Sequence, residues 1–206
     1  MSNIFENQLK DFKDYKIISG TDEAGRGPIA GPLTVASVIL KPDVFNPILN
    51  DSKKLSESKR EILYDWILNN SVDYKIITIS PEEIDKQNIL VATLTGMKKS
   101  IEYLSITPDL CLIDGNKLPD GLKYKAFPII KGDSLYASIA AASILAKVTR
   151  DRIMLELHKK YPQYAFNEHK GYPTKKHLQL IEKFGICEIY RYSYKPVKYL
   201  HQNKLF

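Results

Sequence analysis

Residues 15–40 read YKIISGTDEAGRGPIAGPLTVASVIL. Two β-like runs, Tyr15–Asp22 and Leu33–Leu40, flank a segment rich in glycine and proline, GRGPIAGP. Such a segment turns the chain, so the pattern predicts an antiparallel strand pair. The first strand ends on two adjacent carboxylates, Asp22 and Glu23, which run into Gly25-Arg26-Gly27. That places negative charge beside bare backbone and an arginine at one end of a sheet.

Working outward, residues 3–14 predict a short helix and Asp51–Leu55 a loop. Ser56 reads as the N-cap of a helix running through ILYDWIL. Val72–Ser80 alternates as a strand. Pro81-Glu82-Glu83 opens a helical region reaching about Leu104, with a break at Asn88. Asp109–Asp114 (DLCLID) is a short buried strand and Tyr124–Ile130 another. A helix follows from Ser134 to about Lys160, then a turn at Gly171-Tyr172-Pro173. A last helix is capped by Thr174 and stopped at Gly185. Residues 186–206 read as irregular and basic. Strands that alternate with helices around at least one hairpin predict an α/β fold with a mixed sheet.

The 206 residues carry a formal charge of +6, with 44% hydrophobic and 26% charged side chains, an ordinary globular composition. The charge permits a nucleic-acid partner without demanding one. The two cysteines, Cys111 and Cys187, form no CxxC and imply neither a disulfide framework nor a zinc site. Cys111 reads as a core residue. The N-terminus has no apolar core of a signal peptide. The longest apolar-rich run, LYASIAAASILAKV (135–148), is too short to span a bilayer. The expectation is a soluble, cytoplasmic protein, monomeric by default.

Asp22, Glu23, Asp114 and Asp133 all stand at strand ends or just before a helix. Loops converge there over a rigid base in an α/β sheet. Four carboxylates together repel one another unless a cation holds them. A pair of Mg²⁺ or Mn²⁺ ions does so with hard oxygen ligands, and such pairs serve in-line displacement at phosphorus. On spacing alone the acids read equally well as scattered strand-end and cap residues. Asp133 can simply begin a helix, and Glu23 can be a solvated loop acid. The Gly25-Arg26-Gly27 loop suits close approach to a phosphate or sugar hydroxyl, or is only a tight hairpin. It is neither a P-loop nor a dinucleotide fingerprint.

The segments GTDEAGRGPIAGP (20–32), DSKKLS (51–56), LIDGN (112–116), KGDSLYASIAAASILAKVTRDR (131–152), YPQYAFNEHKGYPTKKH (161–177) and RYSYKPV (191–197) go further. Together and in this order they resemble bacterial ribonuclease HII, covering roughly residues 17–197. The resemblance implies a ribonuclease H-like fold, a mixed central sheet flanked by helices, with a helical C-terminal part. It implies one catalytic domain over residues 1–206, the core at about 17–160 and the C-terminal helical, basic part and tail at about 161–206. It implies a metal-dependent endonuclease that cuts the RNA strand of RNA–DNA hybrids. It also implies incision 5′ to ribonucleotides embedded in duplex DNA, leaving 3′-OH and 5′-phosphate. The family's catalytic metal ligands fall on Asp22, Glu23, Asp114 and Asp133, for Mg²⁺ or Mn²⁺. Its glycine–arginine–glycine element falls on Gly25, Arg26 and Gly27, near the ribonucleotide 2′-OH. Its substrate-sensing tyrosine falls on Tyr172, which otherwise reads as a turn aromatic.

Lys53, and His169, Lys170, Lys175 and Lys176, read as backbone-phosphate contacts or as a solvated basic face. The small-residue run SIAAAS (138–143) reads as core packing that holds Asp133, while His158, His177 and His201 read as structural or solvated. The last five residues, Gln202-Asn203-Lys204-Leu205-Phe206, resemble the Gln-x-x-Leu-Phe peptide that docks on bacterial sliding clamps. A tail folded back on the body is the other reading. Three other functions remain in view: a DNA nuclease of the same fold, which would need no ribose sensor; a non-catalytic nucleic-acid or clamp-binding module, which would not need four carboxylates; and a metal-dependent phosphatase on small molecules.

Overall fold

The Gly/Pro segment does turn the chain. In the computed structural model, which describes residues 3–50 and 52–202 with backbone alone for 201 and 202, β1 (Ile18–Ala24) and β2 (Leu33–Leu40) pair antiparallel. The first strand continues through the acidic pair instead of ending at it: Asp22 lies opposite Ala36 and Glu23 opposite Val35. Pairing with β2 extends the strand past the point where its apolar character stops.

Ahead of the sheet, α1 (Ile4–Asp11) is capped by Asn3, whose side chain accepts from the Phe5 N–H. After β2, α2 (Glu57–Asn70) starts at Ser56 as its sequence predicts, with the hydroxyl accepting from the Lys59 N–H. It leads directly into β3 (Ser71–Ile79), which pairs antiparallel with β2. The predicted break at Asn88 separates α3 (Pro81–Gln87) from α4 (Ile89–Glu102). Asn88 sits at φ 69° and its side chain accepts from the Leu90 and Val91 N–H groups. It therefore ends one helix and caps the next. β4 (Leu110–Asp114) and β5 (Ala126–Ile129) add to the other side of β1, both parallel. The sheet order is β3-β2-β1-β4-β5, with β1 central.

The long helix α5 (Ala137–Lys160) begins later than the expected Ser134, because Gly132–Ser134 form a 3-10 turn first. The C-terminal part holds α6 (Phe166–His169), α7 (Lys175–Phe184) and α8 (Lys195–Gln202). The last corrects the expectation of an irregular tail. Val197 is fully buried against Ile29, Ala30 and Tyr190, so packing stabilises a helix that a basic sequence does not announce.

Alternation along the strands divides the core. On one face of β2, Ala36 and Val38 meet the Ala140–Ala142 run of α5 and Leu63 and Ile67 of α2. On the other, Leu33 and Val35 meet Ala92, Met97 and Ile101 of α4. Cys111 is fully buried there, as its run predicts. Each buried leucine or isoleucine contributes about 1.5–3 kcal/mol. The small residues of α5 serve closeness instead. A Cβ on Gly20 would stand 2.0 Å from the backbone carbon of Ser138, so α5 lies directly on β1 two residues before Asp22. No helix among the described residues is long and apolar enough to cross a membrane.

Candidate active site

Two neighbouring parallel strands deliver the acids. Thr21 of β1 pairs with Ile113 of β4, so Asp22 and Asp114, the next residues along, lie side by side on neighbouring strands. One cavity of about 210 Å³ is lined by Asp22, Glu23 and Asp114, by Gly25, Arg26 and Gly27, and by Lys53 and Tyr172. Roomier hollows of about 340 Å³ beside Phe5 and Lys41, and about 560 Å³ beside Tyr64 and Arg152, are each lined by a single carboxylate, and one of about 460 Å³ is lined by Glu82, Asp85 and Glu188 but by no glycine loop. Asp133 is not part of the cavity wall. It lies buried next to it, its carboxylate 3.5 Å from the Lys53 ammonium.

The electrostatics follow from this crowding. Burial, then the charges of Glu23 and Asp114, hold the Asp22 carboxyl well above its ordinary pKa. A hydrogen bond with Ser143 of α5 acts the other way. Burial also raises Glu23, opposed by the Arg26 guanidinium 3.5 Å away. Asp114 is oriented by the Gly132 N–H, which donates to its Oδ1 at 2.7 Å and ties the 3-10 turn before Asp133 to the end of β4. Among the described residues no three His, Cys, Asp or Glu are gathered closely enough to hold an ion as they stand. Like charges keep apart, with Arg26 3.5 Å from Glu23 and Lys53 3.5 Å from Asp133. The donor chemistry fits hard divalent cations all the same: every acid offers carboxylate oxygen, and burial raises both Asp22 and Glu23 even with Arg26 and Lys53 acting against it at Glu23.

The glycine loop is held from below by two buried arginines that the motif reading passed over. Arg191 donates from Nη2 to the Gly25 carbonyl at 2.7 Å, from Nη1 to the Arg26 carbonyl at 3.1 Å and from Nε to the Gly31 carbonyl at 3.0 Å. The Tyr194 hydroxyl also donates to the Arg26 carbonyl, at 2.6 Å. Arg150 of α5 donates to the carbonyls of Pro32, Ala30 and Lys170. Gly25 is required here: it has φ 102°, and a Cβ would stand 2.1 Å from Arg150 Nε. Among the described residues no peptide bond is cis. With the Gly25 and Arg26 carbonyls turned to Arg191, the N–H groups of Arg26 and Gly27 must point away from it.

Tyr172 comes from a turn docked on the same loop. Gly171 accepts from the Ile29 N–H at 2.9 Å, and a Cβ on Gly27 would lie 3.4 Å from the Tyr172 ring. Tyr172 is 43% exposed, and so available to a ligand. Lys53 is 80% exposed in its side chain. His169 departs from its expected role as a phosphate contact: it is buried and bonded to the Tyr164 carbonyl and the Gly171 N–H. Lys176 pairs with Glu168. Of the tail residues, the Gln202 backbone ends α8, while Leu205 and Phe206 lie outside the described residues.

A signal for Arg150 did exist. It falls on the buried stripe Ala142, Ala146, Arg150, Met154 at four-residue spacing, where a charge demands partners. Arg191 carries no comparable periodic signal.

Comparison with known proteins bears on this arrangement. The family described as Ribonuclease HII matches residues 19–197. A Ribonuclease HII from Mycoplasma mycoides subsp. mycoides SC is 55% identical over 94% of both chains. One from Endomicrobium trichonymphae is 49% identical over 99% of this chain and 98% of its own. The crystal structure of the ribonuclease H2 from Pyrococcus horikoshii OT3 superposes with a TM-score of 0.79 at 26% identity, covering 91% of this chain and 98% of that one.

Proposed function

The chain belongs to the ribonuclease HII family, is an endonuclease acting on RNA–DNA hybrids, and has the ribonuclease H-like fold; we propose that it cuts at the cavity between β1, β4 and the glycine loop. The observation that carries this reading is the shared wall: three carboxylates, the Gly25-Arg26-Gly27 backbone and an exposed tyrosine face one space. In this reading Asp22, Glu23, Asp114 and the adjacent Asp133 hold two Mg²⁺ ions, with Mn²⁺ as a substitute. Bound there, such ions supply Lewis acidity at the scissile phosphate.

The chain's own groups select the strand. The Arg26 and Gly27 N–H groups, turned outward by Arg191, donate to the ribonucleotide 2′-OH, the group that distinguishes RNA from DNA at one position. The Tyr172 ring stacks on the sugar of the deoxynucleotide that follows and so senses an RNA-to-DNA junction. Lys53 meets a backbone phosphate and positions the duplex. Incision falls 5′ to the ribonucleotide and leaves 3′-OH and 5′-phosphate. These parts separate the enzyme from a DNA nuclease of the same fold, which has no use for a ribose sensor.

The C-terminal Gln202, Leu205 and Phe206 dock on a sliding clamp. A solved structure 26% identical to this chain over 87% of it, with a TM-score of 0.73 and covering 95% of its own length, is titled as the PCNA:RNase HII complex from Archaeoglobus fulgidus, which supports clamp docking for that protein. Deletion of residues 202–206 should abolish clamp binding and leave cleavage of free duplex intact.

The decisive experiment uses a labelled DNA duplex containing one ribonucleotide, with Mg²⁺, Mn²⁺ or EDTA, beside an all-DNA duplex and the Asp22→Asn protein. Cleavage 5′ to the ribonucleotide that is lost in EDTA and in the variant supports the reading. Cleavage of the all-DNA duplex, or full activity of Asp22→Asn, overturns it.

A further inference from the structure

Two buried imidazoles stand behind the Gly171–Tyr172 turn, and nothing in the reaction above uses them. His169 ends α6 and His177 lies in the first turns of α7. Their rings stack with centroids 4.0 Å apart and planes 16° from parallel. Their partners assign the protons. The Gly171 N–H donates to His169 Nδ1 at 3.2 Å, so that nitrogen offers a lone pair. Its Nε2 then carries the proton and donates to the Tyr164 carbonyl at 2.8 Å. His177 shows the opposite tautomer: its Nδ1 lies 2.8 Å from the Tyr172 carbonyl, which only accepts, so Nδ1 donates. Its Nε2, 3.0 Å away, accepts from the Tyr190 hydroxyl. Both rings are neutral, which lets them stack without charge repulsion.

Both histidines also bond Tyr172 directly, His169 through its carbonyl and His177 through its ring. The Tyr172 N–H donates to the His169 carbonyl at 2.9 Å, and the Tyr172 carbonyl accepts from the His177 ring. The residues before it, Lys170 at φ 49° and Gly171 at φ 85°, are both left-handed, a local path that outside contacts must hold. Arg150 and the Ile29 N–H fasten the glycine end of the turn to the loop. The histidines fasten the tyrosine end. Losing His177 would leave the turn attached and the Tyr172 carbonyl held only by the Thr174 N–H, at 2.8 Å, so the peptide that aims the ring loses its link to α7's side chains.

We infer that His169 and His177 are positioning residues for Tyr172, and that through it they set how strongly the enzyme prefers an RNA-to-DNA junction over a uniform hybrid. The inference rests on the reading of Tyr172 as the junction sensor.

The test measures kcat/KM on two substrates, duplex DNA with one ribonucleotide and a uniform RNA–DNA hybrid. Asn at position 177 places an amide donor near the Nδ1 position and Gln places one near Nε2, so only the first can keep the bond to the Tyr172 carbonyl. His177→Gln should lower the junction-to-hybrid ratio by about tenfold or more, as small misplacements of reacting groups do. His177→Asn should restore most of it, and in a Tyr172→Ala background His177→Gln should change the ratio no further. A His177→Gln protein that loses both activities in parallel, or keeps its ratio, overturns the inference. So does an additive loss in the double variant. If His177→Gln does not fold, His169→Gln, which loses the acceptor for the Gly171 N–H, reads the same ratio under the same criteria. Tyr172→Ala separates the two failures. A ratio unmoved by Tyr172→Ala removes the junction-sensor reading and this inference with it. A ratio that falls in Tyr172→Ala but not in His177→Gln overturns this inference alone.

Discussion

The Arg191 guanidinium, buried completely, donates to the Gly25 carbonyl across 166 positions of chain at 2.7 Å. The glycine loop beside Asp22 is therefore shaped from a residue near the opposite end of the sequence. Burial lowers the Arg191 pKa, and its partners are neutral carbonyls and a tyrosine hydroxyl, so the charge is retained for geometry.

This relationship gives the first prediction. Arg191→Gln leaves the carbonyls of Gly25 and Gly31 short of donors, while the Arg26 carbonyl keeps the Tyr194 hydroxyl, and each buried orphan costs about 1–3 kcal/mol. Urea unfolding should show a loss of roughly 3 kcal/mol or more. Arg191→Lys keeps the charge but not the fork. It should lose cleavage at an embedded ribonucleotide by about tenfold or more. Wild-type stability in Arg191→Gln would contradict the assignment.

Gly20 carries the second. An added Cβ would lie 2.0 Å from Ser138 backbone, which no side-chain rotation relieves. Gly20→Ala should push α5 from β1 and destabilise the protein by about 3 kcal/mol, the upper end of ordinary overpacking. Ser143 and Asp22 should separate with it, so cleavage falls as well. The check is denaturation and hybrid cleavage on the same preparation.

The third concerns acid. Burial holds the His177 pKa down to about 4, from an ordinary 6.5, and also lowers His169. With folded values below unfolded ones, the unfolded chain takes up protons first as pH falls. The stability contributed by neutral His177 is complete above pH 6.5 and is lost progressively as pH falls toward 4. Its full size is roughly 3 kcal/mol. Urea midpoints for the wild type should drop between about pH 7 and about pH 5, and drop less for His177→Gln. Equal slopes for the two proteins would assign the acid sensitivity elsewhere.

Lys53 supplies the fourth. Its exposed ammonium, 3.5 Å from Asp133, is placed to turn from that carboxylate to a phosphate. Lys53→Ala should weaken hybrid binding alike for every sequence, and should lower the salt slope of log affinity by about 1. An unchanged slope would return Lys53 to the solvated face.

Much of this protein is written locally. The strands at 18–24, 33–40 and 110–114, the Ser56 cap and the Asn88 break follow from periodicity and from side chains bonding their own backbone. Asp114 ends its strand as predicted, whereas Asp22 and Glu23 lie inside β1, which pairing with β2 carries on to Ala24. The late start of α5 was not legible, because the 3-10 turn at Gly132–Ser134 depends on the Gly132 N–H reaching Asp114 in another strand. Helix α8 was not legible either, since its stability comes from Val197 packed against Ile29 and Tyr190.

The sequence by itself determined the alternation of strands and helices, the acids near strand ends and the turn residues that place glycine beside them. The tertiary structure alone decided that Arg150 and Arg191 become buried struts, that His169 and His177 stack, and that Asp133 lies behind Lys53 rather than on the cavity wall. The physical reason is range. Propensity and periodicity act over a few residues and fix which face a side chain takes. A buried polar group must find its partners wherever packing brings them, and here those partners lie up to 166 positions away.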